Sequence, residues 1–130
     1  MKHRILVVED NLANRELLCD WLEAENFQVL AAENLEQAFA AFNVQPPQAV
    51  LLDVQLASED GLLLAKWIRQ EPNLRHTPVI AVTAHAMVTD QERVIKAGCN
   101  ACISKPIDLK MLASELERWL ELSANLPSST

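Results

Sequence analysis

Ala49-Val50-Leu51-Leu52-Asp53 is the stretch that decides the fold: four apolar residues in succession, closed by a carboxylate. A strand with one wet face alternates apolar and polar residues, whereas a strand apolar on both faces belongs to a parallel sheet with helices on both sides. Four further short runs read as strands: Ile5 to Val8, Gln28 to Ala31, Val79 to Val82 and Ala101 to Ser104. Longer amphipathic runs separate them, so the chain reads βαβαβαβαβα, with no internal repeat, low-complexity tract or long linker. Right-handed crossovers between such units give one open, doubly wound sheet.

The helix signals agree with this order. Ala13 to about Glu25 carries Leu17, Leu18, Trp21 and Leu22 at helical spacing. Asn34 with Gln37 resembles a capping box that opens a second helix, whose stripe is Leu35, Ala38, Phe39 and Phe42; Pro46 and Pro47 prevent it from continuing. A third helix begins near Gly61, carries Leu64, Trp67 and Ile68, and stops before Pro72. Thr89 with Glu92 reads as the cap of a fourth, which ends at a left-handed Gly98. Asp108 caps a fifth, with the stripe Leu109, Leu112, Leu116, Trp119 and Leu120. The three tryptophans lie on apolar faces and read as packing. The reading places one domain over residues 1–122 and a flexible tail over 123–130.

Composition narrows the function. The 130 residues are 50% hydrophobic and 22% charged, the balance of one globular domain. Runs such as Ile5 to Val8 and Ala49 to Leu52 are four residues long and no apolar run exceeds five, against the roughly 20 needed to cross a bilayer, and Glu9-Asp10 end the first too early for a signal peptide. A cytoplasmic protein without membrane insertion is expected. With 18 acidic and 11 basic residues the net charge is −7, which argues against nucleic acid as a direct partner. Cys19, Cys99 and Cys102 are an odd number of thiols, in keeping with a reducing compartment. Cys99-x-x-Cys102 runs into a strand instead of opening a helix, and Cys19, His3, His76 and His85 lack zinc spacing, so Cys99 and Cys102 read as small buried hydrophobes.

In doubly wound sheets ligands bind beyond the carboxyl ends of the strands. The residues leaving those ends are Glu9 and Asp10, Asp53, Thr83, and Lys105. Taken singly, Glu9-Asp10 ends a strand and caps a helix, Thr83 is a turn residue and Lys105 a solvated charge. Asp53 resists that treatment, because a carboxylate at the end of a buried strand costs several kcal/mol unless paired or metal-bound. Should the chain turn at Glu9-Asp10, three carboxylates crowd one pocket, and unit like charges about 4 Å apart repel by roughly 4 kcal/mol at an effective dielectric of 20. Lys105 leaves two negative charges, which one divalent ion neutralises. All the ligand atoms are oxygens, which selects Mg2+, with Mn2+ as the other hard candidate. A metal, an ammonium and a hydroxyl around an aspartate suit phosphoryl transfer, with Asp53 as nucleophile.

Over about residues 3 to 122 the chain resembles the receiver (response regulator, CheY-like) domain of two-component signalling. The matching elements are Ile5-Leu6-Val7-Val8-Glu9-Asp10-Asn11, Leu51-Leu52-Asp53, Asp60-Gly61, Pro78-Val79-Ile80-Ala81-Val82-Thr83-Ala84, Ala97-Gly98 and Ser104-Lys105-Pro106. The resemblance implies a five-stranded, parallel, flavodoxin-like α/β sheet of order 2-1-3-4-5 with helices on both faces. It implies Asp53 as the acceptor of a phosphoryl group from a histidine kinase or phosphotransfer protein. Asp10, Asp53 and the backbone carbonyl of Gln55 would bind Mg2+, and Glu9 would do so through water. Thr83 and Lys105 would hold the phosphoryl oxygens, with a cis Lys105-Pro106 bond. The output would be a changed surface around the fourth and fifth helices, read by a downstream protein, the chain being a monomer or a phosphorylation-dependent dimer.

Several positions depart from that family or tune it. Leu56 and Ala57 stand where a methionine and a proline are common, and Cys102 replaces the usual aromatic switch residue, so the signal would travel by the loop after the fourth strand and the fourth helix. Gln55 and His85 flank the approach of water, and with Ala84 and Cys102 they are the expected modulating positions. Two other function classes use the same residues. A small Mg2+-dependent phosphohydrolase of haloacid-dehalogenase type would carry a general acid two residues after the nucleophile, where this chain has Gln55. A constitutive receiver-like interaction module would have a broken site, and here Glu9, Asp10, Asp53, Thr83 and Lys105 are all present.

Overall fold

The computed structural model describes residues 3–56, 59–84 and 88–124. In chain order the elements are β1 (Arg4–Val8), α1 (Leu12–Ala24), β2 (Gln28–Ala32), α2 (Leu35–Val44), β3 (Ala49–Asp53), β4 (Gln55–Leu56), β5 (Glu59–Asp60), α3 (Leu62–Gln70), β6 (Val79–Thr83), α4 (Val88–Lys96), β7 (Ala101–Ser104) and α5 (Leu109–Ala124). Five strands form one parallel sheet of order β2-β1-β3-β6-β7, the expected flavodoxin-like topology once the short β4-β5 ladder is set aside. No helix among the described residues is long and apolar enough to cross a membrane.

The apolar strands divide their side chains between two cores, as the two-residue period requires. Ile5, Val7, Ala49, Leu51, Ile80 and Ile103 pack with Leu18 and Leu22 of α1 and Leu112, Leu116 and Leu120 of α5. Leu6, Val8, Val50, Leu52, Val79 and Ala81 pack on the other face with α2, α3 and α4. Leu112 and Leu116 are fully buried, worth about 1.5–3 kcal/mol each relative to exposure. Trp67 receives Phe39 and Phe42 edge to face at centroid distances of 5.1 and 5.3 Å, tying α3 to α2.

The helix ends follow local chemistry. Asn11 Oδ1 accepts from Asn14 N–H at 3.0 Å, and Asn34 Oδ1 from Gln37 N–H at 2.8 Å. Asp108 Oδ1 accepts from Lys110 and Met111 N–H. Gly98, at φ 112°, closes α4 with Gly98 N–H to the Ile95 carbonyl and Cys99 N–H to that of Val94. Asn26, at φ 70°, does the same for α1.

Four local expectations are corrected. Leu17 is 59% exposed, because the sheet covers the arc of Leu18 and Leu22 and Leu17 lies about 100° round the helix. Thr89 lies inside α4 (Val88–Lys96), and a helical residue is not an N-cap. Helix α5 runs on through Ala124, beyond the expected end near Leu122; residues 125–130 lie outside the described residues. Cys102 is only half-buried, although Cys99 is buried. All three cysteines are free, and burial pushes the Cys99 thiol up to about 12, far from a reactive thiolate.

Arg69 carries the opposite, amino-terminal edge of the sheet. Its guanidinium donates to the carbonyls of Gly98 at 2.8 Å, Thr77 at 2.7 Å and Arg75 at 3.1 Å, and to Asn100 Oδ1 at 2.6 Å. Asn100 Oδ1 also accepts from Val79 N–H at 2.8 Å. The planar fork of donors thus joins α3, the segment before β6, and the turn before β7.

Candidate functional site

Glu9, Asp53 and Lys105 each follow by two residues a side chain of the α1–α5 core, namely Val7, Leu51 and Ile103. The strand period therefore delivers all three to one side of the carboxyl edge. Asp10 joins them because β1 ends at Val8 and the chain turns toward the Asn11 cap of α1. One carboxylate oxygen from each of Glu9, Asp10 and Asp53 lies within 4.8 Å of the others. Thr83 follows Ala81 of the opposite core, so it approaches Asp53 from the other side.

Glu9 is 2% and Asp53 4% exposed, a burial that two carboxylates tolerate only with partners. Lys105 supplies one: its Nζ lies 3.1 Å from Asp53 Oδ2 and 3.4 Å from Glu9 Oε1. Main-chain donors supply others, Gln55 N–H to Asp53 Oδ1 at 3.0 Å and Asn11 N–H to Glu9 Oε2 at 3.4 Å. Burial, and next the facing carboxylate of Asp53, raise the Glu9 pKa to about 7, with Lys105 and the Asn11 N–H pulling it back. Burial would lower the Lys105 pKa, but the hydrogen bonds and charges of Asp53 and Glu9 outweigh it and hold the ammonium above its usual value. Three hard oxygen ligands in one small space fit a divalent ion of the Mg2+ class and not one that favours sulfur or imidazole.

On the other side of Asp53, the side-chain amide of Gln55 bridges two groups of the β6 end. Its Nε2 donates to Thr83 Oγ1 at 3.0 Å, and its Oε1 accepts from Ala84 N–H at 3.2 Å. The structure therefore brings Glu9, Asp10, Asp53 and Lys105 together directly and joins Thr83 and Ala84 to them through Gln55. The Lys105-Pro106 peptide is cis. Cys102 lies on β7 opposite Ala81 and is half-buried against the α2–α4 core. His85 lies outside the described residues.

Residues 5–117 match the response regulator receiver domain family. The chain belongs to that family. It is similar to the polar-differentiation response regulator DivK of Brucella anthropi, 38% identical over 120 residues, which are 92% of this chain and 98% of that one. Among solved structures it is similar to a putative response regulator from Chloroflexus aurantiacus, at 27% identity and a TM-score of 0.88 over 93% of this chain and 99% of that one. It is also similar to the receiver domain of a signal transduction histidine kinase from Syntrophus aciditrophicus, at 30% identity and a TM-score of 0.86 over 98% and 97%.

Two supporting features carry no signal in the sequence, and a third explains one that does. Arg15 Nη1 donates to the carbonyl of Glu9 at 2.9 Å and lies 3.5 Å from that of Asp10, while Nη2 pairs with Glu33 at 3.6 Å, so one guanidinium braces the acidic turn. The β4-β5 ladder pairs Gln55 with Asp60 and returns the chain to Gly61. A Cβ at Gly61 would overlap the main-chain carbonyl oxygen of Asp53, which explains the glycine in the Asp60-Gly61 element.

Proposed function

We propose that Asp53 accepts a phosphoryl group from a histidine kinase or phosphotransfer protein, and that the acyl phosphate switches a protein-binding surface around α4 and α5. The observation that carries this reading is the Lys105 ammonium 3.1 Å from a buried Asp53 that two further carboxylates crowd. A carboxylate oxygen of Asp53 attacks the donor's phosphorus in line; the bond from phosphorus to the leaving group breaks, and the leaving group keeps its electron pair and takes a proton. Lys105 neutralises charge on the transferred oxygens, and the Thr83 hydroxyl and Ala84 N–H donate to them.

Asp10, Asp53 and the Gln55 carbonyl would hold Mg2+, with Glu9 acting through water. The bound ion supplies charge neutralisation for the incoming phosphoryl group. No general acid stands at Gln55, so the chain forms and loses its own acyl phosphate without turning over a separate substrate. A single-domain regulator is supported by a DivK relative matched over 98% of its length. The reading places it in the cytoplasm, with a downstream protein partner, as a monomer or phosphorylation-dependent dimer.

The test is intact-protein mass after incubation with acetyl phosphate, with Mg2+ or with EDTA. One phosphoryl adduct that needs Mg2+ and is absent from Asp53→Asn is expected. No adduct and no donor consumption would favour a constitutive module instead.

A further inference from the structure

Gln55 touches both halves of the site. Its main-chain N–H holds Asp53 Oδ1 at 3.0 Å, while its side-chain amide holds Thr83 Oγ1 at 3.0 Å and Ala84 N–H at 3.2 Å. On the reading that Asp53 takes a phosphoryl group, Thr83 and Ala84 are the groups that must turn to the new oxygens. We infer that the Gln55 side chain is a resting-state latch, whose amide occupies Thr83 and Ala84 and must be released as the phosphoryl group replaces it.

The chemistry of the exchange is balanced. Ala84 has one N–H, and it points at the Gln55 carbonyl oxygen; a phosphoryl oxygen is the stronger, charged acceptor for the same hydrogen. Thr83 is 2% exposed and sits at the end of β6, so its hydroxyl exchanges the Gln55 amide for a phosphoryl oxygen and not for bulk water. The Gln55 side chain is exposed, and on release its amide is satisfied by water. The latch therefore withholds Thr83 and Ala84 from the incoming phosphoryl oxygens and slows adduct formation until it is released.

Gln55→Met keeps the length of the side chain and the main-chain carbonyl while removing both amide hydrogen bonds. The full chain is followed by intact mass during reaction with acetyl phosphate and Mg2+, and by hydrogen exchange at the Ala84 amide before any donor is added. Loss of one or two bonds of ordinary net strength gives an expected rise of about threefold to tenfold in adduct formation, and a similar fall in Ala84 protection. Gln55→Ala must behave in the same direction. An unchanged or slower rate in Gln55→Met, with Ala84 protection unaltered or not, would overturn the latch, a slower rate showing instead that Gln55 orients Thr83. If the wild type takes no phosphoryl group, the proposal falls with the reading it rests on. Ala84 protection that Gln55→Met still lowers would then locate the failure in Asp53 chemistry and not in the hydrogen bonds.

Discussion

Lys105 Nζ and Asp53 Oδ2 lie 3.1 Å apart although 52 residues separate them in sequence. The contact exists because β3 and β7 flank β6 in register, with Asp53 beside Val82 and Thr83 beside Ser104. Parallel strands with matched carboxyl ends bring an acid and a base to one point, and the packing that sets the register thereby sets the chemistry.

Lys105→Met removes the cation that Asp53 and Glu9 share. Lys105 is partly exposed, so solvent discounts the loss to about 1–2 kcal/mol in EDTA, read by urea denaturation. Added Mg2+ recovers part of it. Adduct formation with acetyl phosphate falls by about 10²-fold, the usual effect of deleting one charge-stabilising donor.

Glu9 makes the metal-free protein lose stability as pH rises. Its pKa goes from 4.5 to about 7, with burial as the first cause. Between those values the folded state binds the extra proton, so this contribution is present below the unfolded pKa and lost as pH climbs through the folded one. Urea denaturation in EDTA from about pH 5 to 7.5 should show a decline of up to about 3 kcal/mol from this group. Glu9→Gln flattens the decline, and Mg2+ opposes it at the upper end. A rise across the same window in the wild type, absent from Glu9→Gln, would contradict the assignment.

Gly61→Ala forces a methyl group against the Asp53 carbonyl. The main chain around the acceptor must shift, at about 1–3 kcal/mol. Thermal melts record the loss, and adduct formation slows because Asp53 moves relative to Lys105.

Arg69→Lys separates stability from site chemistry. An ammonium cannot reach the carbonyls of Gly98, Arg75 and Thr77 as the guanidinium fork does, so about 2–4 kcal/mol is lost in urea denaturation. The site is at the other end of the strands, and the adduct rate at 25 °C stays within twofold of wild type, an order-of-magnitude bound set by distant, independent sites.

Much of this was legible in the sequence because its cause is local. Unbroken apolar strands announce a two-sided sheet, Asn34, Asp108 and Gly98 announce helix ends, and carboxylates after apolar runs announce Glu9, Asp10 and Asp53. What escaped depends on chain segments that only folding brings together. Leu17 satisfies the helical period, but the sheet covers too narrow an arc to bury it. Arg15 and Arg69 act on main-chain carbonyls, which carry no sequence signal. The two-residue strands β4 and β5 are too short to show a period, and with them went the reach of the Gln55 amide to Thr83.

The most direct test is the position of the phosphoryl group itself. Protein treated with acetyl phosphate and Mg2+ is reduced with borohydride, which converts an acyl phosphate of aspartate to homoserine, and is then mapped by peptide mass spectrometry. Homoserine at position 53 alone is the expected result. Homoserine at another aspartate, or a stable adduct that borohydride leaves unchanged, would contradict the assignment of Asp53 as the acceptor.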